Sequence, residues 1–86
     1  MRPVERIDEI TELINKIWHK IPDLRYMQLI YILQMEYSTK NGGIGKIEHL
    51  GNDNFTSTGY DLFNVEDTKL QKFLKQYLNE LQSKST

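Results

Sequence analysis

The chain has 86 residues, 11 basic and 12 acidic side chains for a formal net charge of −1, two histidines and no cysteine. Balanced charge removes any overall field toward nucleic acid or an anionic membrane, and the missing thiols exclude disulfide staples and thiolate zinc sites. A chain this short buries roughly 60 to 65% of the surface its unfolded form exposes, so apolar burial has to stabilise it, with help from a second copy where one chain is not enough.

Ile7, Ile10, Ile14, Ile17 and Trp18 fall at helical spacing, Leu13 widens the stripe, and Asp8, Glu9, Glu12, Asn15 and Lys16 cover much of the rest. This predicts a first amphipathic helix with Pro3 in its opening turn and Glu5, Asp8 and Glu9 complementing its positive end. Pro22 disfavours helical geometry at Ile21, so the helix is expected to stop near Lys20.

From Leu24 to Tyr37 apolar residues nearly encircle the helix axis, and Asp23 is the natural N-cap. Such a helix is either central or has a second face covered by a partner. Tyr26, Tyr31 and Tyr37 are the candidate interface, because one helix of a small domain has trouble burying every side at once, and a two-fold homodimer explains the excess economically. Arg25 in the first turn opposes the helix dipole, which calls for a compensating carboxylate. The segment Asp61 to Asp67 is the expected source, fastening the carboxy-terminal part to the Pro22 corner.

Asn41-Gly42-Gly43-Ile44-Gly45-Lys46 ends the second helix. A phosphate loop would need a preceding strand and a Ser or Thr after the lysine, where Ile47 stands instead. Lys46 to Leu50 and Tyr60 to Val65 are the candidates for a short antiparallel pair, with residues 44–65 otherwise read as loop. Leu70, Phe73, Leu74, Tyr77, Leu78 and Leu81 then define a last amphipathic helix, with Asn64 or Asp67 as its start signal. The fold class is therefore mainly α: a small three-helix domain over residues 1–82, with room for a two-stranded β-hairpin between helices 2 and 3, and a frayed polar tail at 83–86.

Chemical motifs are weak. His19 and His49 lack a metal-ligand spacing, so neither metal nor cofactor is expected, and His49 with Asp53 or Asp61 is the best that general-base chemistry finds. Asp53-Asn54-Phe55 lacks an oxygen ligand where a calcium loop needs one, and Asn54-Phe55-Thr56 is a sequon without meaning inside a cell. Lys69, Lys72 and Lys75 lie on one side of the last helix, which makes nucleic-acid contact the alternative to a solvated face. No stretch reads as a signal peptide or membrane span, so a cytoplasmic protein with no membrane partner is expected.

Trp18, Pro22-Asp23-Leu24 with Arg25, and Gln28-Leu29-Ile30 form the one segment whose order looks specified, a structural corner. It resembles a pattern in small bacterial and phage proteins, including the YihD-like group, in which Asp61-Leu62-Phe63-Asn64-Val65-Glu66-Asp67 also has a counterpart. The resemblance covers under a quarter of the chain. It implies a helical domain of bacterial or mobile-element origin and carries over no catalytic residue. The combined expectation is a non-enzymatic protein-interaction or regulatory module.

Overall fold

The computed structural model describes residues 2–51 and 56–84, and the side chain of Lys84 is not among them. It contains α1 (Glu5–Lys20), α2 (Tyr26–Lys40), β1 (Lys46–Leu50), β2 (Thr56–Tyr60) and α3 (Asp67–Lys84). The mainly α architecture with a hairpin between the second and third helices is as expected. Within the stretch read as one domain the chain groups into two compact units, residues 1–26 with 65–86 and residues 27–64.

The first unit is built on α1 against α3. Arg6 meets Asp67 and Glu9 meets Gln71, so both helices advance in the same direction. Parallel helices need a long return path, because a 16-residue helix travels about 24 Å. Residues 21–66 supply that path. Ile17, Phe73, Leu74, Tyr77 and Leu78 are buried, and the rings of Phe73 and Tyr77 stack at 5.8 Å with an interplanar angle of 10°. Phe73, Leu74, Tyr77 and Leu78 recur at three and four residues along α3, so a helix rich in lysine on its other side still holds a core.

α1 stops at Lys20, as Pro22 requires, and the Ile21 amide closes the last turn on the Trp18 carbonyl at 3.1 Å. Its start differs slightly from expectation. Pro3 lies ahead of the helix and serves as an acceptor, taking the Arg6 amide at 3.4 Å. At the other end of the unit, α3 continues through Ser83 and Lys84, so half of the tail expected to fray is helical. The Ser83 hydroxyl donates to the Asn79 carbonyl at 2.9 Å.

The second unit joins most of α2 to the hairpin. Leu29, Leu33, Tyr37 and Ser38 are buried, and α2 ends where Gly43 donates its amide back to the Ser38 carbonyl at 2.7 Å. That reversal needs positive φ, and Gly42 (φ 75°) and Gly43 (φ 84°) provide it. β1 and β2 then pair antiparallel, with Lys46 opposite Tyr60, Ile47 opposite Gly59 and Leu50 opposite Thr56.

The second strand is therefore Thr56–Tyr60 and not Tyr60–Val65. Tyr60 ends the ladder, the Asp61 amide closes it on the Gly45 carbonyl at 2.8 Å, and the Asp61 side chain accepts the Phe63 amide at 3.3 Å to turn the chain away. The Tyr60 ring meets Tyr31 of α2 edge-on at 5.6 Å.

Candidate interaction surface

The corner is organised by Trp18. Its indole N–H donates to the Leu24 carbonyl at 2.8 Å, and its ring lies 5.4 Å from that of Tyr26. A half-buried indole needs an acceptor, and Leu24 offers one just before α2 begins. The second helix consequently starts at Tyr26, two residues later than the sequence suggests. This corrects Asp23, which sits in the turn with Pro22, outside the capping position. Arg25 is the residue just before the helix, beside its positive end and outside its first turn.

Two carboxylates of the segment expected to receive Arg25, Glu66 and Asp67, are engaged by other arginines. Arg6 Nε donates to Asp67 Oδ2 at 2.6 Å and Arg6 Nη1 to the Pro3 carbonyl at 2.8 Å, while Arg2 Nη2 lies 3.5 Å from Glu66 Oε2. Arg6 is the second residue of α1, so the dipole reasoning applied to Arg25 would have found it. The Arg6–Asp67 pair fixes the start of α3 beside the start of α1.

Among the described residues no group of three potential ligands is placed to hold a metal ion. The open recess of about 240 Å³ beside Arg2, Arg6, Glu9 and Asp67 is bordered by the Arg2–Glu66 and Arg6–Asp67 pairs and by Glu9, which accepts from Gln71. His19 Nδ1 lies 2.8 Å from the Asn15 carbonyl, which fixes it as the N–H nitrogen. His49 faces solvent opposite Ser57, and the ladder sets it four positions from the Gly45–Asp61 closure, about 13 Å from Asp61 along the strand. Asp53, the other carboxylate weighed for it, lies outside the described residues, as do Asn54 and Phe55.

The three tyrosines of the candidate interface separate. Tyr26 belongs to the corner with Trp18, and Tyr31 belongs to the second unit with Tyr60. Tyr37 is buried, with 4% of its surface exposed, so it is removed from any docking face. Met27 takes its place: it stands four residues before Tyr31 on the same side of α2 and is 72% exposed. Gln28 is exposed beside it.

Leu29, Leu33 and Tyr37, also spaced by four, make the opposite and buried row. The apolar girdle of α2 is thus half core and half surface. The hairpin adds Ile47 and Leu50, and the loops of the second unit add Ile44 and Phe63, the last 91% exposed.

Lys69, Lys72 and Lys75 are all exposed on α3. Lys75, however, borders Glu9 and Glu12 of α1 together with Lys16, so acidic groups interrupt the basic face. No described helix is long and apolar enough to cross a membrane. No family model, curated protein or solved structure matches this chain.

Proposed function

We propose that the protein is a non-enzymatic interaction or regulatory module that acts through the second unit. The observation that carries this reading is the concentration of exposed apolar side chains there: Met27, Tyr31, Ile44, Ile47, Leu50 and Phe63. A lone exposed apolar residue needs no explanation, but a helix row and a strand that both leave large side chains in water mark a contact region. Met27 and Tyr31 suit the part well. Methionine adapts to irregular partners, and tyrosine brings a large contact area at small entropic cost.

The test compares retained partners on three immobilised forms of the full chain: the wild type, Met27→Lys with Tyr31→Ser, and Lys69, Lys72 and Lys75 all changed to Gln. A specific protein held by the first and third forms and lost by the second supports the reading. Retention that follows the lysines would replace it with the nucleic-acid alternative. That alternative rests on the exposure of the lysine row and requires binding that falls steeply with salt, since each phosphate contact releases counterions.

A further inference from the structure

We propose that β1 is a self-complementary edge strand that pairs antiparallel with β1 of a second copy, on a two-fold axis through Ile47. The inference stands apart from any role of Met27 and Tyr31. All five residues of β1 are exposed, and the sheet contains β1 and β2 alone among the described residues. A two-stranded hairpin is marginal in water, whereas two hairpins joined through β1 make a four-stranded sheet.

The backbone phase defines the seam. The Gly45 carbonyl accepts the Asp61 amide, so the peptide groups of residues 45, 47 and 49 face β2 and those of 46, 48 and 50 face outward. The Lys46 amide is committed to the Gly43 carbonyl at 3.2 Å, which leaves the Glu48 amide and the Lys46 carbonyl as the central outward donor and acceptor. About an axis through Ile47 each Glu48 amide meets the partner's Lys46 carbonyl.

The side chains agree with that register. Lys46 stands directly opposite the partner's Glu48, twice by symmetry, on the sheet face that carries Tyr60. Within one chain Lys46 Nζ already lies 3.2 Å from Glu48 Oε1, so each ammonium would sit between two carboxylates. On the other face Ile47 meets the partner's Ile47 at a position without hydrogen bonds, where side chains approach most closely. Ile47 has an unfilled side: its cross-strand neighbour on β2 is Gly59, and an added Cβ there would meet nothing within 4 Å.

Neighbouring registers are penalised. A shift of one step sets Glu48 against Glu48, and a shift the other way sets Lys46 against Lys46. The occupant that this charge pattern fits is therefore another copy of the same strand.

The test is sedimentation of the full chain over a concentration series reaching the millimolar range, with circular dichroism of each variant alone. The wild type should move from the 10.2 kDa monomer toward twice that mass. Lys46→Glu and Glu48→Lys should each weaken self-association about tenfold or more, because both symmetric pairs become repulsive. Mixing those two variants should restore association, since one strand then presents two carboxylates and the other two ammonium groups. The Lys46→Glu, Glu48→Lys double variant should also self-associate. A wild type that stays monomeric throughout, single variants that associate like the wild type, or a mixture that fails to associate would each overturn the proposal.

Discussion

The Trp18 indole nitrogen stands 2.8 Å from the Leu24 carbonyl, so the last turn of α1 holds the residue from which the chain sets out for α2. Substituting Trp18→Phe keeps an aromatic ring beside Tyr26 and removes this bond, which should cost about 1 kcal/mol. Trp18→Ala should cost about 3 kcal/mol or more, because ring packing is lost as well. Denaturant unfolding of both variants checks the order. Equal losses would mean that the bond, and not the ring, holds the corner.

Arg6 and Asp67 tie the openings of two parallel helices 61 residues apart in sequence. Both side chains are about a third exposed, which discounts the pair to about 1 kcal/mol. Arg6→Ala and Asp67→Asn should each lower stability by that amount, and the double variant should lose less than the sum. Part of the effect should fade in high salt. Additive losses in the double-mutant cycle would show that the two groups do not act on each other.

Gly45 closes the hairpin at φ 75°, where a Cβ would lie 2.5 Å from the Asp61 carbonyl oxygen and 2.8 Å from Leu62 Cδ2. Gly45→Ala should therefore be worse than Gly42→Ala, which has the same φ and open space around it. Costs of about 1 kcal/mol at Gly42 and clearly more at Gly45 are expected. Chemical shifts of β1 and β2 report whether the ladder survives.

Tyr60 gives a pH signature. Burial raises its phenol above the ordinary value of 10.0, and the neighbouring Tyr31 adds to the shift. The folded chain therefore favours the neutral phenol, and this contribution is complete below pH about 10 and is lost as pH rises through the raised folded value. In a residue-resolved NMR titration the Tyr60 phenol should lose its proton late, and Tyr31→Phe should bring that loss earlier. A Tyr60 titration that Tyr31→Phe leaves unmoved would contradict the Tyr31–Tyr60 contact.

Much of the helical framework is legible in local sequence. Pro22 stops α1 at Lys20, and the three-four spacing from Leu70 to Leu81 marks α3, because both signals act within one or two turns. What escapes a local reading is set by distant partners. The start of α2 shifts because Leu24 answers Trp18, and β2 falls on Thr56–Tyr60 because β1 imposes its register on a polar stretch without alternation.

The candidate surface was legible in part. Grouping Tyr26, Tyr31 and Tyr37 by residue type overlooked helical angle, which places Tyr31 about 140° from Tyr26 and aligns it with Met27. Arg6 carries the same local signal as Arg25, a cation at the start of a helix, but its partner Asp67 lies 61 residues away and no local pattern points to it.

Site-specific photo-crosslinking in the cells that encode the protein tests the interaction reading most directly. A photoreactive phenylalanine derivative replaces Tyr31 in one form and Lys72 in another, both exposed positions on helices. A discrete protein adduct from position 31 and none from position 72 is expected. Nucleic-acid adducts from position 72 with nothing from position 31 would contradict a protein-docking role for the second unit.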